Sequence, residues 1–462
     1  MPELSYGASP DGPRTDPAMD RFRGYRLGQF IHFGLYAMPA GSWQGREYPG
    51  AAEFLPKWAD IDPAEWRKLA DDFRLPAFDP DAWADAAVRM GARYVTITTK
   101  HHEGFCLWPT ELTDFNIANT PYGKDLLGEL IKAYRGRGLA VHLYYSVLDW
   151  DHPDWRYRIE SDQDAAAFRR YLEFAEAQLL EMADRYPEVG GFWFDGTWDE
   201  SVKANGRWTW RIEQLLKERL PGVVINSRLR ADDLGARHFD SNGELMGDYE
   251  SGYERRLPDP WDRSVTERDW EACMTIGEAT WGHHNGDSAQ ATLKHPWELA
   301  DMLAQCVAQG GNLLINLGPR GDGSLHPREV DITDRLGRWV GDHSAALHDA
   351  GPATRWDYQS WGHLTSARTD AAQVAPTDSV VHAIITRPPA AGQVIIRLPA
   401  GVTVAMITRH NQPDQRIDWL QRSEQSVLIM IDQAAISTRV PTVVDLHIRS
   451  QDSPPPPAKE LV

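Results

Sequence analysis

The strongest constraint on this fold is a recurrence. Short apolar, β-branched or aromatic runs alternate with amphipathic helical stretches, and run after run ends abruptly in a polar residue. The clearest is Gly190 to Glu200, where two glycines release Phe192-Trp193-Phe194 and the run stops at Asp195-Gly196. An apolar run between glycine breaks reads as a buried strand, with the carboxylate at its mouth. Comparable runs lie at residues 28–35, 93–100, 138–146, 222–228, 270–276 and 311–318, with a short strand expected near Met246 to Tyr249. Helical spacing separates them, and Asp79-Pro80 is a start signal for one such helix, Asp as cap and Pro at the first helical position. About eight short strands with intervening helices over roughly 320 residues predict an α/β chain with a (β/α)8-like, TIM-type barrel. An open doubly wound sheet is the competing layout, but no Gly-x-Gly-x-x-Gly turn supports a dinucleotide role.

From about Gly351 the pattern changes to short strands without helices, at 380–386, 392–398, 402–408, 426–431 and 443–448. These predict a C-terminal antiparallel β-sandwich. The expected division is an N-terminal arm (1–20), a catalytic barrel (21–349), the sandwich (350–450) and a disordered, proline-rich tail (451–462).

Composition narrows the function. A net charge of −19 from 67 acidic and 48 basic residues would repel nucleic acid and anionic membrane surfaces. No run approaches the ~20 apolar residues of a membrane helix. Three cysteines without a spaced framework, and no basic-then-apolar leader, lead to the expectation of a cytoplasmic protein. Self-association is left open.

Barrel active sites gather at the C-terminal ends of the strands. There the sequence places His32, then Lys100, His101, His102 and Glu103, then Tyr144 and Tyr145, then Asp195, then Asn226 and Arg228. Any one of these read alone is as well explained by a satisfied core residue or a cap. The group of them predicts a pocket. Imidazoles, a tyrosine and an arginine suit sugar hydroxyls, and Asp195 plus one more carboxylate would make a glycosidase pair. A metal held by His32, His101, His102 and Asp195 is the rival. It is disfavoured because adjacent strand residues face opposite ways and no His-x-His or His-x3-His spacing occurs.

Several stretches carry a family likeness: Phe30-Ile-His-Phe-Gly34, Lys100-His-His-Glu-Gly-Phe105, Tyr144-Tyr-Ser146, Trp193-Phe-Asp-Gly196 and Gly310-Gly-Asn-Leu-Leu-Ile-Asn-Leu-Gly-Pro319. With these the chain resembles the α-L-fucosidases of glycoside hydrolase family 29. The resemblance implies a retaining hydrolase without metal or cofactor that releases terminal α-L-fucose through a covalent fucosyl-enzyme. It implies Asp195 as nucleophile and His32, His101, His102, Tyr144 and Arg228 as substrate binders. It also implies a Glu-aromatic loop contact at Glu53 and Phe54, where the family has Trp in place of Phe54. The acid/base falls in the loop after Asp248-Tyr249, with Glu254 the best fit and Glu250 and Glu244 as alternatives. Trp281 is expected as an apolar wall for the sugar. A non-catalytic fucose binder on a degenerate barrel, or a hydrolase of a related sugar such as a galactoside, are the alternatives.

Overall fold

The computed structural model describes residues 13–286, 292–367 and 380–449. Eight parallel strands form one curled sheet: β1 (Leu27–Ile31), β2 (Tyr94–Lys100), β3 (Ala140–Ser146), β4 (Gly191–Asp195), β5 (Val224–Ile225), β6 (Glu250–Glu254), β7 (Trp270–Thr275) and β8 (Asn312–Leu317). Their order around the sheet is β5-β4-β3-β2-β1-β8-β7-β6. The β5 and β6 edges meet through a parallel bridge between Asn226 and Tyr249. Two backbone bonds hold that seam, Asp248 N–H to Ile225 O at 2.8 Å and Ser227 N–H to Tyr249 O at 2.9 Å. Strands β1, β2, β7 and β8 are buried throughout, as expected for a sheet covered on both faces.

β6 departs from expectation. The strand is the polar stretch Glu250-Ser-Gly-Tyr-Glu254, just after the expected Met246 to Tyr249. Its pairing with β7 slips between Glu250 and Tyr253. No apolar periodicity marks it, because its hydrogen-bonding partner rather than its own burial makes it a strand.

The arm also differs. Residues 1–12 lie outside the described residues, but the rest of it leads directly into a helix, Pro17–Tyr25, capped by the Asp16 side chain. Arg14 anchors this entry through Val223 O and Asp248 Oδ2 at 2.8 and 2.9 Å. Met19 and Phe22 from the helix pack with Phe30, Tyr94, Tyr144, Trp193, Val224, Tyr249, Cys273 and Leu314 into the barrel interior. Gly28 lets Tyr94 cross that interior, since a Cβ there would lie 2.4 Å from the Tyr94 ring.

The chain divides into two compact units elsewhere than at residue 349. The barrel unit takes the described residues up to Arg256 together with 268–294 and 312–334. The second unit takes 257–267, 295–311 and 335 onward. Within the second unit, β9 (Ala350–Pro352), β10 (Gly362–Ala367), β11 (Val380–Ile385), β12 (Gln393–Arg397), β13 (Thr403–Arg409), β14 (Gln412–Arg416), β15 (Trp419–Ser423), β16 (Ser426–Met430) and β17 (Thr442–Arg449) follow in order. They form a six-stranded antiparallel sheet, β9-β10-β11-β17-β13-β14, and a three-stranded one, β12-β16-β15. Val381, Ile396, Ile407, Val427, Ile429 and Leu446 are in its core. The five expected strands are present. Two of the unexpected ones, β14 and β15, are almost wholly exposed and so carry no inside-outside alternation to read. A short helix, Gln433–Thr438, precedes β17. The predicted tail at 451–462 lies outside the described residues.

Phe22 is 1% exposed, with its ring 4.3 Å from that of Tyr249. Phe22→Ala is expected to lower the unfolding free energy by about 3–5 kcal/mol, read by urea denaturation. A loss under ~1 kcal/mol would show that the helix does not plug the barrel.

Candidate active site

A cavity of about 80 Å³ opens among Phe30, His32, Glu53, Phe54, His101, His102, Tyr144, Trp193, Asp195, Trp198, Arg228, Glu254, Cys273 and Trp281. All ten sequence-predicted catalytic and binding residues line it. On β4, strand parity puts Gly191, Trp193 and Asp195 on one face, so the carboxylate projects inward. Gly196 then turns the chain with φ +72°. A Cβ on Gly196 would lie 2.7 Å from the Leu148 backbone nitrogen, so only glycine permits this close turn behind Asp195.

Arg228 ties the site together. Its Nη1 donates to Asp195 Oδ1 at 3.0 Å and its Nη2 to Glu254 Oε2 at 2.7 Å. Nε donates to Ser251 O at 3.0 Å, and the guanidinium lies 4.6 Å from the Trp193 ring. Burial alone would lower the guanidinium's pKa, but Asp195 and then Glu254 hold it above its ordinary value. Asp195 also accepts from the Tyr144 hydroxyl at 3.0 Å. Its side chain is 14% exposed, against 40% for Glu254. Thus one carboxylate sits deep in the pocket, and the other stands at its solvent-facing rim.

The other two acid/base alternatives do not line this cavity. Glu250 is paired with Arg268, and Glu244 lies in an exposed turn where its N–H bonds Asp240.

The histidines are oriented from behind. The Asn316 amide donates to Trp281 O at 2.7 Å, which leaves its Oδ1 to accept from His32 Nδ1, also at 2.7 Å. The Ser146 hydroxyl donates to Leu148 O, so its oxygen accepts from His102 Nδ1 at 2.6 Å. Both neutral rings therefore keep Nε2 as an acceptor. Burial, then the neighbouring His101, holds His32 well below its ordinary pKa, and burial, then His32, lowers His102 to about 3. His101 is buried with Nδ1 unpartnered in the structure, and its ring stacks on Tyr144 at 5.5 Å. The expectation that His101 and His102 face opposite ways is corrected: both follow the end of β2, outside the strand, and their rings lie 4.1 Å apart.

Glu53 lines the wall, but its oxygens are occupied by the 280–282 loop. It accepts from Gly282 N at 2.9 Å, Thr280 Oγ1 at 3.2 Å and Trp281 N at 3.4 Å. It thereby sets Trp281, whose ring stacks on His32 at 4.9 Å. Phe54 stands edge-on to His102 at 5.4 Å.

Four strand-end groups serve the framework instead. Lys100 pairs with Asp149 at 2.9 Å, and the Tyr145 hydroxyl bonds Gln178. Glu103 receives Leu35 N and Trp66 Nε1, and Asn226 bonds both backbone groups of Phe194. Trp198 was missed by sequence reasoning, although it lies in the same Gly190 to Glu200 stretch. It stands edge-on to His102 at 5.2 Å. Glu271 was missed too. It is buried in the barrel, accepting from Tyr94 Oη at 2.6 Å and Trp193 Nε1 at 2.8 Å, and burial lifts it to about 7.

Comparison with known proteins bears on this geometry. The model of the alpha-L-fucosidase family matches residues 3–345. The chain belongs to the alpha-L-fucosidase family. Tissue alpha-L-fucosidase of Rattus norvegicus is 28% identical over 92% of this chain and 88% of its own. Among solved structures, a family 29 alpha-L-fucosidase from Bacteroides thetaiotaomicron is 47% identical, with a TM-score of 0.91 and coverage of 98% of this chain and 100% of that one. A family 29 alpha-L-fucosidase from Bacteroides thetaiotaomicron has also been captured as a covalent intermediate with 2-fluoro-fucosyl fluoride in a Glu-to-Gln variant, at a TM-score of 0.90 over 97% of this chain and 100% of that one. Alpha-L-fucosidase isoenzyme 1 of Paenibacillus thiaminolyticus is 27% identical, with a TM-score of 0.78 over 94% and 99%. Membership makes this chain a glycoside hydrolase with the barrel-plus-sandwich fold of its relatives.

The buried imidazoles set a pH dependence. His102 and His142 are each depressed to about 3 by burial, against ~6.5 when unfolded. Between those values the unfolded chain binds more protons, so what these two rings contribute is fully present above ~6.5 and is lost as pH drops toward 3. Buried carboxyls raised by burial, Glu271 among them, act with the opposite sign in the same window, so the test is the difference between proteins: the gap in urea midpoint between wild type and His142→Gln should shift in the variant's favour from pH 7 to pH 4. A gap that does not change with pH would contradict the depressed value of His142.

Proposed function

We propose that this chain is a retaining exo-α-L-fucosidase in which Asp195 attacks the anomeric carbon and Glu254 serves first as acid, then as base. The observation that carries the reading is the single Arg228 guanidinium spanning both carboxylates. Such a bridge is a short span, suited to the ~5–5.5 Å separation of retaining pairs rather than the wider gap that admits a water in inverting ones. The relative trapped as a covalent intermediate in a Glu-to-Gln variant supports a double displacement with a glutamate as its second carboxyl.

In this reading Asp195, deep and fixed by Tyr144 and Arg228, is aligned on the sugar from the pocket floor. Glu254 at the rim meets the leaving-group oxygen and then the attacking water, which enter from solvent. Attack breaks the glycosidic bond and forms the Asp195–fucosyl ester as Glu254 gives its proton to the leaving oxygen. Water deprotonated by Glu254 then cleaves the ester and releases fucose with its configuration retained. Charge builds on the sugar in the transition state, and the fixed Asp195 carboxylate opposes it without reorganising. Nε2 of His32 and of His102 would accept sugar hydroxyls, and Trp281 would meet an apolar sugar edge. Buried thiols at Cys106, Cys273 and Cys306 support a reducing, cytoplasmic location.

Asp195→Ala should lower turnover of an aryl α-L-fucoside by at least ~10³-fold while the fold is retained by circular dichroism. Retained turnover would remove Asp195 as the nucleophile. Glu254→Ala should lose ~10²–10⁴-fold and be rescued by azide, giving the α-fucosyl azide of retained configuration. Rescue of Glu250→Ala instead would move the acid/base to that residue. Saturable fucose binding without any hydrolysis would favour the binding-protein alternative.

A further inference from the structure

The second unit holds a cluster that the barrel chemistry does not use. His382 on β11, Asp445 on β17 and His410 directly after β13 bring two imidazole nitrogens and a carboxylate oxygen within 4.8 Å of one another. Asp445 Oδ1 lies 2.7 Å from His382 Nδ1 and 2.8 Å from His410 Nδ1. The sheet fixes this meeting. β17 lies between β11 and β13, with His382 directly opposite Asp445 on one side and Thr408 opposite it on the other. The His410 N–H to Val443 O bond holds the end of β13 in place. The two histidines are each 7% exposed, and the Asp445 side chain is 14% exposed, so the donors are preformed on a rigid scaffold yet reachable.

We propose that His382, His410 and Asp445 form a site for one divalent transition-metal ion of the zinc type. Two imidazoles and a carboxylate are the donors such ions take, whereas calcium and magnesium seek oxygen-only sets. Both rings turn the same nitrogen, Nδ1, toward one shared oxygen, so three donors converge that can take three of an ion's four tetrahedral positions. Water takes the fourth position. Zinc–ligand bonds of ~2.0–2.2 Å require the donors to part by roughly half an ångström from their present hydrogen-bond distances. Ligation through Nδ1 puts each ring's proton on Nε2. Residues 382, 410 and 445 are remote in sequence, and so form no recognisable metal motif.

The test uses the whole chain, stripped with EDTA and dialysed, then titrated with zinc chloride by calorimetry, with metal content measured after a second dialysis. Wild type should retain about one equivalent and Asp445→Asn should bind at least ~10-fold more weakly. Cobalt(II) should give visible tetrahedral bands in wild type that are lost in the variant. The melting temperature should rise with zinc in wild type alone. Equal zinc retention in the two proteins, or no cobalt bands in wild type, would overturn the site and leave a hydrogen-bonded triad. Should Asp445→Asn fail to fold, His382→Gln carries the same comparison. Turnover of the aryl fucoside should be the same in all folded variants, so failure here is distinguishable from failure of the proposed glycosidase reading.

Discussion

One guanidinium holds the barrel mouth in register. Arg228 reaches the carboxylates of Asp195 and Glu254 with its two terminal nitrogens, bonds Ser251 O through Nε and rests over the Trp193 ring. The contact to Ser251 lies beside the β5–β6 seam, which is also held by two backbone bonds and by bonds from Ile225 N to Asp248 Oδ2 and from Ser251 N to Ser227 Oγ. The seam and the paired carboxylates therefore share a single side chain. Arginine suits that place because its planar fork makes several bonds from one rigid group and stays charged when buried. A buried cation is costly unless it is paired, and here the neutralising partners are the groups the proposed chemistry uses.

The support beneath this arrangement is aromatic and polar rather than aliphatic. Trp193, the platform under Arg228, is fixed from below by Glu271, which also receives the Tyr94 hydroxyl. Tyr94 fits only because Gly28 leaves room for its ring. Phe22 closes the far end. Position is thus transmitted upward from the barrel floor to the carboxylates through hydrogen-bonded rings, which have few rotamers and little freedom to drift. On the facing wall, Glu53 performs the equivalent service for Trp281 by accepting from the backbone of its loop. His32 and His102 are set by Asn316 and Ser146. In each case a polar group behind the pocket fixes the one that faces it.

The sequence by itself determined the architecture and much of the membership of the pocket. Strand and helix periodicities are local, and a barrel's parallel topology converts the ends of its strands into one mouth, so His32, Tyr144, Asp195 and Arg228 could be named together without coordinates. Local signals failed where a residue's state depends on a distant partner. The polar β6 is a strand because β7 pairs with it. His101 and His102 converge because the chain leaves the strand before them. Lys100 and Glu103, although at a strand end, are taken up by Asp149 and Trp66. The family pattern ranked Glu254 ahead of Glu250, but only the tertiary structure shows Glu254 lining the cavity on Arg228 while Glu250 pairs with Arg268, each arginine well separated along the chain. It alone also assembled His382, His410 and Asp445, because the register of strands remote in sequence is fixed by packing and hydrogen bonding across the sheet, and no short window of sequence encodes it.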